Sequence, residues 1–208
     1  MKNIELIEKY RAFYSKIKDL VKDEEVFPQL SYSEFEENLS SWLGIPSFSM
    51  TREDMEKKGK PHIAIWDMQN SNVKVKIHFN GLLGVKKFIE ILDSQYKRKK
   101  FIELIQKFEG AKLKLVYQEK HFAASFDWKD IIDIKCEDLA KQKLDEFEKV
   151  ILEEKEKRDL REKEIPRYMH AVMGIVIGYK EIDIKDNNEI KEVFTKLANI
   201  IKFLHEKN

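Results

Sequence analysis

A chain of 208 residues with 42% hydrophobic and 11% aromatic residues can bury a core, which excludes wholesale disorder. Its formal net charge of +1 removes any global electrostatic pull toward a polyanion, although 37% of the residues are charged and only six of the 39 basic residues are arginine. Cys136 is the sole cysteine, which excludes an intramolecular disulfide and a cysteine-based zinc finger.

The opening MKNIELIEKYRAFY carries acids where a secretory signal would place an apolar stretch. The longest apolar run, AVMGIVIGY, is far short of the roughly 20 residues that span a bilayer. A cytoplasmic protein without a membrane partner is therefore expected. Leu6, Tyr10, Phe13, Ile17 and Leu20 recur at helical spacing and predict an amphipathic helix from Asn3 to Lys22. Ser33 and Glu36 have capping-box spacing and predict a short helix through Leu39 and Trp42, ended by Gly44-Ile45-Pro46. Residues 47–61 read as a polar loop.

Two strand patterns follow, His62–Met68 and Val73–Phe79, separated by a short polar turn. The second alternates cleanly, with Val73, Val75, Ile77 and Phe79 on one face and Lys74, Lys76 and His78 on the other. The next stretch nearly repeats itself, KKFIEIL from Lys86 and KKFIELI from Lys99. Thirteen residues rotate a helix by roughly 220°, so one straight helix would carry the two apolar copies on nearly opposite faces. Two helices broken near Asp93-Ser94 each keep a single buried face, and that arrangement is expected. A second hairpin is read in Lys112–Tyr117 and His121–Phe126. A long helix is expected past Asp130, with Ala140, Leu144, Phe147 and Ile151 as its stripe and an almost wholly charged second half ending at Pro166. Residues 167–184 read as a buried strand, with a helix carrying Gly174 and Gly178 on one face as the alternative, and Asp186 with Glu189 starts a final helix.

The expected fold is α+β: an antiparallel sheet from two β-hairpins in ββ-α-ββ order, flanked by the N-terminal helix and the long charged helix. Residues 1–135 are read as the main domain, and 136–208 as the charged helix with a C-terminal strand–helix cap packed on the same domain. Whether residues 165–208 form a satellite or complete the main sheet stays open at this level.

Charge is uneven along the chain. Val73–Lys120 holds twelve Lys or Arg against five acids, whereas Asp133–Glu164 holds nine against twelve. The basic segment makes nucleic acid, DNA before RNA, the leading partner. Lys74, Lys76 and His78 on one strand, Tyr96, Lys97, Arg98, Lys99 and Lys100 between the apolar repeats, and Lys112 and Lys114 on the later hairpin are the candidate contacts, because phosphates are met by cations spaced along a surface. Such a module would be non-enzymatic, the recognition part of a larger assembly. Trp66 and Trp128 are candidate walls of a pocket for a flat ligand. Protein docking or self-association through the charged helix 137–164 is the alternative.

Enzymatic activity is left open by one pattern, an Asp-x-Lys triplet matched by Asp133-Ile134-Lys135, which falls where a helix should begin, and by Asp183-Ile184-Lys185, which follows a better strand. Asp183-Ile184-Lys185 has the spacing of a metal-dependent nuclease, in which a carboxylate holds the metal and the lysine positions water. His62, His78, His121, His170 and His205 stand singly without metal-ligand spacing, although His62 and His78 fall opposite each other across the first hairpin. No phosphate-binding glycine loop or nucleophile elbow is present in the sequence, NGLLG at 80–84 being too short, and no cofactor is expected.

Overall fold

Apolar residues at every second position from Val73 to Phe79 form a strand, and the rest of the fold is assembled around it. In a computed structural model, which describes residues 2–23, 26–27, 47–50, 61–69, 71–118, 128–164 and 172–206, this strand is β3 (Asn72–Asn80) of a six-stranded sheet. The others are β1 (Ser47–Met50), β2 (His62–Gln69), β4 (Lys112–Gln118), β5 (Trp128–Lys135) and β6 (Val172–Asp183). Their order is β1-β2-β3-β6-β4-β5, and every neighbouring pair is antiparallel. The helices among the described residues are α1 (Lys2–Val21), α2 (Gly81–Asp93), α3 (Gln95–Ile105), α4 (Lys141–Glu164) and α5 (Asn187–His205). The chain thus adopts the α+β class expected from its sequence.

The C-terminal strand joins the two hairpins. β6 pairs with β3 from Asn72↔Asp183 to Asn80↔Gly174, and with β4 from Leu113↔Ile177 to Gln118↔Val172. From Met173 to Gly178 it is buried without interruption, with a strand on each side and the helical core against one face.

Two expected assignments are corrected. Residues 47–50 form β1 rather than loop, since Ser-Phe-Ser-Met alternates polar and apolar and Phe48 pairs opposite Ile65 of β2. Trp128–Lys135, the expected start of the long helix, is instead the strand that pairs with β4. Its β-branched Ile131, Ile132 and Ile134 favour extended backbone, and Ile132 and Ile134 fall opposite Leu115 and Leu113. The long helix begins later, at Lys141, after a single 3₁₀ turn at Cys136–Asp138. The expected elements Ser33–Trp42 and His121–Phe126 and the stop at Pro166 lie outside the described residues.

The sequence repeat becomes two helices. Ser94, in an extended conformation, caps α3 by accepting the Lys97 amide at 3.4 Å. Each copy then sends its phenylalanine to the same place. Phe88 of α2 meets Phe79 of β3, Phe101 of α3 and Phe147 of α4 edge-to-face, at ring-centroid distances of 5.2, 5.3 and 6.2 Å. Phe194 of α5 does the same for Phe13 of α1 and for Phe27, both at 5.9 Å. These residues and the odd-numbered face of β3 belong to one continuous core. Ala64, Val116 and Val176 are also buried but lie outside that core, on the opposite face of the sheet.

Gly84 sets how closely α2 approaches the sheet. A β-carbon there would lie 2.5 Å from the Phe79 carbonyl carbon, so the helix touches strand backbone directly. Helix propensity alone would make Gly84→Ala stabilising by about 1 kcal/mol. The contact forces α2 away from Phe79 and strains the packing of Phe88, and overpacking of this kind costs about 1–3 kcal/mol. Gly84→Ala should therefore lower stability in urea unfolding; a gain would show that α2 lifts freely from β3.

Candidate functional site

Period-two alternation gives the sheet a second face with a different composition. Across it the register aligns His62, His78, Val176, Lys114 and Asp133 in one row, taken from five different strands. The adjacent row holds Ser49, Ala64, Lys76 and Gly178. The row after that holds Ser47, Trp66, Lys74 and Glu181. The centre of this face thus combines small residues with basic ones. Lys76 is 5% exposed and His78 7%, and His62 is buried beside them. The imidazoles of His62 and His78 meet edge-to-face with centroids 5.5 Å apart, the cross-strand pairing that their sequence positions imply.

Burial dominates the chemistry of these groups. Desolvation lowers the Lys76 ammonium from its usual 10.5 to about 7, so near neutral pH a large share of this side chain is free amine. His78 is held well below 6.5, first by desolvation and then by the charges of Lys76 and His62. Two glycines on β6 make the arrangement fit. A β-carbon at Gly174 would come within 2.9 Å of His78 Nε2. Gly178 adopts φ +110°, and a β-carbon on it would press on the Val75 carbonyl and the Lys76 α-carbon, at 3.1 and 3.3 Å.

The expected phosphate contacts do not share one surface. Lys74, Lys76, His78, Lys112 and Lys114 belong to the second face, whereas α3 sends Phe101 and Ile105 into the core on the other side of the sheet. Lys112 donates to Asp133 at 2.9 Å and lowers that carboxyl's pKa, and Lys114 donates to Asp130. Both acids come from β5, the strand whose place the sequence pattern hid. On α3, the Arg98 guanidinium joins the helix to α4 by donating to Asp145 and, at 2.6 Å, to Glu148. Tyr96, by contrast, is 69% exposed. Lys99 and Lys100 are exposed beside it with Lys97 half-buried, and none of the three ammonium groups meets a carboxylate among the described residues.

The remaining candidates are dispersed. Trp66 of β2 stands opposite Lys74 and Trp128 of β5 opposite Gln118. Four strand spacings, about 19 Å, separate them across the sheet, and they are further offset along it, Trp66 level with Glu181 of β6 and Trp128 with Val172. Asp183 ends β6, and its carboxylate accepts the Lys185 amide at 2.9 Å, closing the turn that leads to α5. Asp186 caps that helix through the amides of Asn188 and Glu189, while the Glu189 carboxylate reaches the Asp183 amide at 3.1 Å. His205 meets the Pro61 carbonyl at 2.8 Å. Among the described residues no three His, Cys, Asp or Glu side chains are grouped to hold a metal ion, and no helix is long and apolar enough to cross a membrane. His121 and His170 lie outside the described residues. Sequence reasoning missed the burial of Lys76 and the role of Gly174 and Gly178; the two glycines within one β-branched run were the available signal.

The chain matches no protein-family model, no curated protein and no solved structure.

The buried bases fix a pH dependence of stability. Because their pKa values are lowered, the folded chain binds fewer protons than the unfolded chain between the two values, and stability rises with pH across that interval. For Lys76 the interval runs from about 7 to 10.5, and for His78 it lies below 6.5. Cys136 and Tyr14, both raised by burial to about 12, act in the opposite sense only above 9.0 and 10.0. Urea unfolding between pH 7 and 9 should therefore show stability increasing, by up to about 1.4 kcal/mol per pH unit for one proton. Lys76→Met should flatten that slope; an unchanged slope would mean that Lys76 keeps its proton in the fold.

Proposed function

We propose that this chain is a non-enzymatic nucleic-acid-binding module that grips phosphates through the start of α3. The observation that carries the reading is an exposed Tyr96 beside Lys97, Lys99 and Lys100, whose ammonium groups meet no carboxylate among the described residues. Position on the helix adds to it. The first turn of α3 contains no acid, although the positive end of the helix dipole favours acids there and disfavours lysines. A bound polyanion would relieve the repulsion among the lysines and complement the dipole together, and release of condensed counterions would drive the association.

DNA is the expected polymer, contacted along its backbone. Reading guanine commonly uses the fork of an arginine, and Arg98, the one arginine between Val73 and Lys120, has its guanidinium engaged by Asp145 and Glu148. Lys112 and Lys114 contribute less to this reading, since each is held by a carboxylate on β5.

Fluorescence anisotropy with labelled single- and double-stranded DNA and RNA, at low and near-physiological salt, tests the proposal. Binding should be micromolar or tighter at low salt and should fall steeply as salt rises. Replacing Lys97, Lys99 and Lys100 by Gln should weaken it on every polymer and reduce the log–log salt slope by about 2–3. Replacing Lys112 and Lys114 should have a much smaller effect. Absence of binding at low salt, or binding indifferent to the triple substitution, would reject the reading. Self-association that survives the triple substitution and fails when α4 is disrupted would favour the docking alternative.

A further inference from the structure

We propose that Tyr96 is a stacking platform for an unpaired nucleobase, so that the α3 surface holds single-stranded nucleic acid by base and backbone together. This inference rests on the reading of α3 as a phosphate-gripping surface and adds a base contact to it.

The surroundings of the ring suit that contact. Tyr96 is 69% exposed, and among the described residues its ring meets neither another aromatic ring nor a cation. A single exposed aromatic is ordinary on a protein surface, so the argument turns on what stands beside it. At about 100° per residue, Lys99 lies roughly 60° to one side of Tyr96 and Lys100 roughly 40° to the other, one turn further along α3. Lys97 adjoins the tyrosine within the same turn. The lysines therefore border the ring on both sides and leave its face open. Glu103, a turn beyond them, is exposed and pairs with none of the three. A nucleotide within a chain has a phosphate on each side of its sugar, so a base laid on the ring brings both phosphates toward cations.

The platform is also held rigidly. Phe101 and Ile105 are buried on the side of α3 away from Tyr96, and Arg98 ties the helix to Asp145 and Glu148 of α4. Tyrosine has only two side-chain torsions to fix, so ordering it against a ligand costs little. Pairing of the ligand decides whether the ring is used. Inside a duplex each base is already covered by its stacked neighbours, whereas an unpaired base offers a free face. Stacking accepts any base, which agrees with an arginine whose guanidinium is engaged elsewhere and is not open to read guanine. Phosphate contacts alone favour the duplex, whose charge density is higher, so the comparison that isolates the ring is with a single strand lacking bases.

Anisotropy titrations of the full chain at low salt test this with a labelled thymidine oligonucleotide, an abasic deoxyribose-phosphate chain of the same length, and a duplex. The thymidine probe should bind about tenfold more tightly than the abasic one, the gain expected from one stacked base. Tyr96→Ala should erase that difference while leaving the abasic and duplex affinities unchanged. It should also leave the log–log salt slope on the thymidine probe unaltered, since no charge is removed. Tyr96→Phe, which keeps the ring, should retain the preference. Equal affinity for the thymidine and abasic probes, or thymidine binding indifferent to Tyr96→Ala, overturns the proposal. If that binding is still lost when Lys97, Lys99 and Lys100 are replaced by Gln, the phosphate-gripping reading stands without the stacking contact. Absence of binding to all the probes overturns both.

Discussion

The rest of the structure depends on the pairing of β3 with β6. Without β6 the sheet would fall into a three-stranded piece, β1-β2-β3, and a marginal two-stranded one, β4-β5. Inserting β6 between β3 and β4 joins them into one sheet, so residues more than a hundred positions apart, such as Asn72 and Asp183, become neighbours. The long continuous sheet then offers a floor broad enough for the helices. Phe88 shows the consequence, since its ring is in contact with a strand, a neighbouring helix and α4 at once. The same pairing carries the bulge opposite Lys76.

A sheet with all its described helices on one side sorts side chains by parity. Odd-numbered residues of β3 enter the helical core, and Lys74, Lys76 and His78 necessarily face the other way. This sorting decides the electrostatics more than the composition does. Lysines that are close in sequence part company: those of the strands lie on one side, and those of α3 lie beyond the core on the other. On the strand side, Asp130 and Asp133 of β5 meet Lys114 and Lys112. Exposed pairs of that kind contribute little to stability, but they reduce the field available to a polyanion.

Lys76 and His78 show the opposite balance. Burying a cation is expensive, and these groups respond by giving up the proton rather than by staying charged. Their placement therefore lowers the proton affinity of both groups and makes stability depend on pH. The glycines at 174 and 178 are the structural condition for this, since side chains there would collide with His78 and with the Lys76 backbone.

What the sequence determined by itself is local. Helical spacing in α1, alternation in β3, the break near Asp93-Ser94 that divides the KKFIE repeat and the Asp186 start of α5 all depend on residues within a few positions of one another, and each was legible. The pairing of His62 with His78 was legible for the same reason, because a short hairpin fixes its own register. Trp128–Lys135 was not legible as a strand, because its β-branched isoleucines express only a weak local preference and the partner that fixes them, β4, is reached through tertiary pairing. Only the tertiary structure decided which strands adjoin β6, which lysines meet carboxylates and which are stripped of water. Those outcomes turn on contacts between distant residues, and desolvation is a property of the surroundings a side chain reaches, not of its own identity.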